Sequence, residues 1–276
     1  MFSIIIPAYN EEKAVRGTIK EFLALNIPGE IIVIDDGSTD RTGEYARDSL
    51  VKVIRHEINK GYGAALKTGI RYASGEYIII CDADGTYIPQ DAVRLLAYIK
   101  DFDMVVGARP FGCISFLRRP AKWFLNKLAN YLVDYKIPDL NSGLRVFRKD
   151  VALKFFHLFP QGFSFTTTLT LAMLANNFRV KFVPILYQKR IGKSKIRPVY
   201  DTLNFFQLIV RMVMYFNPLK VFLPISAFLF ISGIFLFGTD IFIRHDVGDA
   251  AVVTLNTAIL IFMLGFIADM INKKTS

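Results

Sequence analysis

Two carboxylates one residue apart, Asp82 and Asp84, close an apolar run, and on an extended chain that spacing sends both side chains to one side. Paired hard oxygens suit Mg2+ or Mn2+, ions that keep waters and take further oxygens from phosphates. An isolated Asp-x-Asp also serves in turns and at helix starts. Here Asp35-Asp36 closes a second apolar run and Glu11 follows a third, which crowds acidic groups where only a cation or donor hydroxyls make them tolerable. Other polar residues have plainer readings. Asp40 reads as a helix N-cap. Gly61 and Gly63 either let the chain turn or set a helix N-terminus against a phosphate. The three histidines, at 56, 157 and 245, stand in no catalytic spacing and read as structural. Cys81 and Cys113 make neither a disulfide framework nor a zinc spacing and read as buried small hydrophobes.

The elements that must position these groups follow from periodicity. Apolar runs at 2–7, 30–35, 51–55, 77–82 and 103–108 alternate with amphipathic stretches at 11–25, 40–48, 61–73 and 89–100. The runs are too short for helices and rich in Ile and Val, so they read as buried strands in βαβ units of a mostly parallel sheet. Ligands of such sheets sit at the carboxyl ends of the strands, where Pro7-Ala8-Tyr9-Asn10-Glu11, Asp35-Asp36-Gly37-Ser38 and Asp82-Ala83-Asp84-Gly85 stand.

Of the 276 residues, 53% are hydrophobic, and they are unevenly spread. No charge occurs between Lys220 and Asp240 or between Asp249 and Asp269, two runs of 19 residues, each close to the roughly 20 that cross a bilayer as a helix. The net charge of +10 belongs to the part before them. Residues 1–108 hold 12 basic and 16 acidic side chains, residues 109–218 hold 18 and 4, and residues 219–276 hold 4 of each. A basic half beside a membrane indicates anionic lipid or phosphate as a partner. Nucleic acid is the competing reading and stands well behind, because no nucleic-acid motif is present and the aromatic residues are mostly Phe in apolar runs, so no nucleic-acid partner is expected. Residues 115–133 carry Arg119, Lys122, Asn126 and Asn130 as a polar stripe, the pattern of an interfacial helix. A second amphipathic helix is expected over 198–217, with a buried core helix as the alternative. The organisation expected is thus a domain over 1–197, the interfacial helix 198–217, two membrane helices within 218–272, and a tail at 273–276. Arg211, Lys220, Lys273 and Lys274 flank the outer ends of the hairpin, so the positive-inside rule puts domain and tail in the cytoplasm of a multi-pass cell-membrane protein. The start, Met-Phe-Ser-Ile-Ile-Ile-Pro, is not read as a signal peptide.

The chain resembles the inverting family 2 nucleotide-sugar glycosyltransferases, in particular the polyprenyl-phosphate branch typified by dolichyl-phosphate mannose synthase. The resemblance rests on Pro7-Ala8-Tyr9-Asn10-Glu11-Glu12, Ile34-Asp35-Asp36-Gly37-Ser38-Thr39-Asp40, Asn59-Lys60-Gly61-Tyr62-Gly63 and Asp82-Ala83-Asp84-Gly85. It continues through Gly107-Ala108-Arg109, Asn141-Ser142-Gly143-Leu144-Arg145 and Arg190-Ile191-Gly192-Lys193-Ser194-Lys195. It implies a glycosyltransferase A-type fold, an α/β doubly wound mixed sheet, with the membrane hairpin appended. It further implies that Pro7, Tyr9, Glu11, Ile34 and Asp36 contact the nucleoside and that Asp82 and Ala83 belong to the nucleotide side of the signature. Asp84 is then the metal ligand for Mg2+ or Mn2+, and Arg109, Arg190 and Lys195 surround the phosphates. Lys122 and Asn126 fall near the family's lipid-phosphate positions, with Arg119 nearly equivalent to Lys122. Thr86 stands where the mannose synthases carry a Gln that reaches the metal.

On this resemblance the expected reaction moves a hexose, mannose first, from a nucleotide sugar to a polyprenyl phosphate in the membrane. The acceptor phosphate is already largely ionised near neutral pH, so its attack on the anomeric carbon needs no protein base. The site supplies positioning and stabilises charge on the departing nucleoside diphosphate, with catalytic contributions from Asp84, Arg109, Lys122 and Asn126. UDP-glucose is the alternative donor, and homo-oligomerisation is left open. A processive polysaccharide synthase fits less well, because the Gln-x-x-Arg-Trp motif is missing and the only tryptophan, Trp123, follows Lys122. A catalytically silent membrane adaptor is the remaining alternative.

Overall fold

The computed structural model describes residues 1–110, 126–131, 133–162, 164–188 and 198–275. Residues 1–208 and 209–276 form two separate compact units.

In the first unit the Ile- and Val-rich runs are strands: β1 Phe2–Ala8, β2 Gly29–Asp35, β3 Val51–Arg55, β4 Tyr77–Ile80 and β5 Met104–Ala108. Two more, β6 Arg145–Arg148 and β7 Val180–Pro184, join them in a sheet of order β3-β2-β1-β4-β6-β5-β7. Pairing is parallel except for β6, which lies antiparallel between β4 and β5. This is the mixed, doubly wound α/β sheet of the glycosyltransferase A type. Side-chain alternation buries both faces. Ile4, Ile6, Val33 and Ile79 share one core with Val15, Ile19 and Phe22 of the helix Val15–Ala24 and with Ala92 and Leu95 of the helix Pro89–Leu96. On the opposite face the helix Tyr62–Tyr72 lies so close that a Cβ on Gly69 would sit 2.4 Å from Ile5 Cγ2.

Strand β4 ends two residues short of the run that the sequence reads as a strand, and Pro7 supplies the reason. The Cys81 N–H still donates to the Ile5 carbonyl at 3.2 Å. The next rung of a parallel ladder would need an N–H from residue 7, and proline has none. Asp82 to Asp84 therefore leave the sheet.

The second unit holds two long helices, Leu219–Thr239 and Asp249–Thr275. The spans Leu219–Ile243 and Asp249–Lys273 are long and apolar enough to cross a membrane. Gly233 packs on Leu255 and Gly265 on Phe222, so small residues bring the two helices together. The connection is tighter than the expected 240–249: helical turns persist through Asp240–Arg244, His245 takes a left-handed φ of 56°, and Asp240 accepts the Gly248 N–H at 3.2 Å.

Candidate active site

The loops after β1, β2, β4 and β5 and the segment entering β6 all lie at one edge of the sheet, because β6 runs opposite to its neighbours. The first two loops are laced together. Asn10, held at a φ of 51°, accepts the Thr39 N–H at 2.8 Å, while its own N–H donates to Ser38 Oγ at 3.0 Å. The Glu11 N–H donates to Thr42 Oγ1 at 2.8 Å and leaves that residue mostly buried. Asp40 accepts the Thr42 N–H at 2.9 Å and the Glu12 N–H at 3.3 Å, but the N-cap of the short helix Thr42–Tyr45 is Arg41, whose carbonyl accepts the Tyr45 N–H, so Asp40 stands one residue before the cap position expected of it and joins the two loops instead. Pro7 is buried at the end of β1 and Tyr9 half-buried after it.

Asp36 is held from three directions. Its Oδ1 stands 2.6 Å from His56 Nδ1 and accepts the Lys60 N–H at 3.0 Å, and its Oδ2 accepts the Gly61 N–H at 2.8 Å. His56 Nε2 lies 2.9 Å from Thr68 Oγ1. The structural reading of His56 therefore acquires content: it fixes a carboxylate at the rim. Ile34 is wholly buried within β2 and does not reach that rim.

The structure decides the alternatives for the two glycines. The Ala64 N–H at the start of the helix Tyr62–Tyr72 donates to the Gln161 carbonyl at 2.9 Å. A Cβ on Gly61 would lie 2.7 Å from that carbonyl, and one on Gly63 would lie 2.3 Å from the Pro160 carbonyl. Another segment of backbone occupies this helix terminus, and the glycines admit it.

Asp82 accepts the Tyr62 hydroxyl at 2.8 Å. Asp84 is buried, and its Oδ1 accepts both the hydroxyl of Thr86 at 2.6 Å and its N–H at 3.1 Å. Thr86 thus orients the carboxylate through two hydrogen bonds to one oxygen. Ala83, between them, is buried and accepts the Thr18 hydroxyl at its carbonyl. Among the described residues no three His, Cys, Asp or Glu side chains form a closed metal cluster. The Asp84 carboxylate is a hard oxygen donor that fits an ion filling its coordination with water and phosphate oxygens, and Asp84 would hold it.

Arg109, just beyond β5, forms a two-pronged pair with Asp139: Nε to Oδ2 at 2.6 Å and Nη2 to Oδ1 at 2.9 Å. Its guanidinium also lies 5.4 Å from the Tyr187 ring centroid. The pairing fixes the cation and offsets part of its charge. Arg145 is completely buried, donating to the Ser142 and Thr166 carbonyls and to Thr170 Oγ1. Burial pushes its pKa down to about 10, so it still carries its charge near neutral pH, behind the acidic rim. The sequence reading gave no role to Tyr62, Asp139 or Arg145, though each lies in or within two residues of a quoted motif.

Asn126 lies half-buried in helical residues 126–131, where Asn130 Oδ1 accepts the Ile137 N–H. Lys122, Arg119, Arg190 and Lys195 lie outside the described residues. Gln188, the last residue described before Arg190, donates its N–H to the Thr86 carbonyl at 2.9 Å, and Tyr187 bridges to Tyr87.

Comparison with known proteins adds a context to this geometry. The profile of glycosyl transferase family 2 matches residues 3–156, and that of the GtrB C-terminal hairpin matches residues 217–273. An uncharacterised protein of Methanocaldococcus jannaschii is 34% identical over 161 residues, covering 55% of this chain and 66% of the relative, just under two thirds of its length. The undecaprenyl-phosphate 4-deoxy-4-formamido-L-arabinose transferase of Pectobacterium carotovorum is 27% identical over 281 residues, covering 95% of this chain and 83% of that one. Among solved structures, glucosyl-3-phosphoglycerate synthase of Mycobacterium tuberculosis, in complex with Mn2+, UDP and phosphoglyceric acid, superposes with a TM-score of 0.62 at 20% identity over 77% of this chain and 78% of that one.

Proposed function

Since the chain belongs to glycosyl transferase family 2, we propose that it moves a hexose from a nucleotide sugar to a polyprenyl phosphate held in the membrane, with inversion at the anomeric carbon. GDP-mannose is the first donor to test and UDP-glucose the second. One juxtaposition carries this reading: Asp82 and Asp84 follow β4 at the same end of the sheet where the fixed Arg109 cation follows β5, in a chain that also contains two helices long enough to span a bilayer. The acceptor class is supported by the printed name of the Pectobacterium relative, which matches along nearly the whole of this chain.

In this reading the loops around Pro7, Tyr9, Glu11 and Asp36 receive the nucleoside, with Ile34 supporting them from within β2, and Asp82 and Ala83 border the nucleotide. A divalent ion on Asp84, Mg2+ or Mn2+, supplies Lewis-acid stabilisation of the leaving diphosphate when bound. Arg109, Arg190 and Lys195 offset charge on the phosphates. Lys122 and Asn126 orient the lipid phosphate, whose ionised oxygen attacks without a protein base. The basic residues beyond both outer ends of the hairpin support a cytoplasmic side for the first unit and the tail.

The test is transfer by the purified full chain in detergent or vesicles. Undecaprenyl and dolichyl phosphates are offered with GDP-mannose, UDP-glucose and other common nucleotide sugars in Mg2+ or Mn2+, and the lipid mass is read. The expected product is a lipid heavier by one sugar, formed only with metal present. No transfer from any donor to either lipid overturns the enzyme reading and favours the silent adaptor. Chains of many sugars would favour the processive synthase.

A further inference from the structure

Asp82 leaves the sheet one residue after the last β4 rung, so no backbone ladder sets the direction of its side chain. Two contacts from distant parts of the chain do so. On one side the Tyr62 hydroxyl donates to Oδ1 at 2.8 Å. On the other, Gly143 lies so close that a Cβ there would stand 2.3 Å from Oδ2. Both flanks are themselves fixed. Gly143 donates its N–H to the Tyr87 hydroxyl at 2.6 Å. Tyr62 follows Gly61, whose N–H is bound to Asp36 and whose missing side chain admits the Gln161 carbonyl.

We propose that Tyr62 is a positioning residue for the nucleotide: its hydroxyl holds the Asp82 carboxylate in the orientation that the donor's nucleoside diphosphate requires. This rests on the donor reading above. Gly61 and Tyr62 are consecutive, the one bonded to Asp36 and the other to Asp82, so the two carboxylates share one stretch of backbone. A phenol suits the task because it spans from a helix start to a strand end with two rotatable bonds and donates a single hydrogen bond. A hydrogen bond to a charged group is worth enough that losing it weakens binding roughly ten- to hundredfold.

The experiment measures binding of UDP and of GDP, each with Mn2+, to the full chain in detergent by calorimetry. It compares wild type, Tyr62→Phe, Asp82→Asn and the double variant, with thermal midpoints of the ligand-free proteins alongside. The expected result is roughly tenfold or greater weakening in Tyr62→Phe at an unchanged midpoint, and a double variant no weaker than Asp82→Asn alone, because the two residues act as one. Undiminished binding by Tyr62→Phe, or losses that simply add, overturns the assignment and leaves the donor reading intact. A collapsed midpoint in Tyr62→Phe makes the hydroxyl a folding element and also overturns it. Wild type that binds neither nucleotide overturns the donor reading, and this inference with it.

Discussion

His56 grips Asp36 through a 2.6 Å contact from Nδ1 to Oδ1, with Thr68 on the other ring nitrogen. The two residues meet because β2 and β3 pair in parallel with Asp35 opposite Arg55, so the chain emerges from both strands side by side. Asp36 then hands the constraint on to the Lys60 and Gly61 amides. One buried node therefore joins the end of β2 to the loop over 56–61.

Removing the imidazole leaves buried polar groups without their partner. His56→Ala is expected to destabilise the first unit by about 1–3 kcal/mol. Denaturant unfolding checks this, with His56→Asn recovering part of the loss if it restores a donor to Asp36. A stability equal to wild type would show that the node bears no weight.

Asp84→Ala removes a proposed metal ligand, so transfer is expected to vanish while the circular dichroism spectrum persists, with the thermal midpoint somewhat lowered because Thr86 loses its buried acceptor. Thr86→Val keeps the shape and deletes the hydroxyl that orients Asp84. It is expected to raise the Mn2+ concentration needed for half-maximal rate about tenfold, with the rate at saturating metal largely recovered. Normal turnover in Asp84→Ala would move the metal site elsewhere.

Asp139 holds Arg109 in a two-pronged contact, and breaking one side of such a buried pair is costly. Asp139→Ala is expected to lose about 3 kcal/mol. The double replacement Arg109→Met with Asp139→Leu should lose less stability, since it strands no charge, while abolishing transfer. Equal destabilisation by the two variants would show that packing, and not the stranded cation, sets the loss.

Lys122→Ala is expected to raise the KM for the polyprenyl phosphate much more than the KM for the nucleotide sugar. Steady-state kinetics with each substrate varied in turn decides it. Equal changes in both would place the lipid phosphate away from Lys122.

Much of the fold was legible in the sequence because its signals are local. A run such as 77–82 declares a buried strand by composition, and Lys220 to Asp240 declares a spanning length by the absence of charge. The acidic residues were legible too, since strand ends are where a parallel sheet presents polar groups. Asp40 is one residue off its expected cap position, because the helix Thr42–Tyr45 begins after Arg41 and helix starts are legible only to within a residue or two.

What stayed hidden depended on partners far along the chain. Gly61 and Gly63 kept two readings until the backbone of 160–162 was seen against them. Arg109 looked like a cation open to phosphate until Asp139, thirty residues on, was found bonded to it. No motif spacing joins Tyr62 to Asp82 or His56 to Asp36. The sequence by itself determined residue chemistry, strand and helix periods and the apolar lengths of the hairpin, because these depend on a residue and its near neighbours. Only the tertiary structure decided which hydroxyl, imidazole or guanidinium meets which carboxylate. The order of the strands and the insertion of antiparallel β6 between β4 and β5 bring those groups to one edge, and both are outcomes of packing the whole sheet at once.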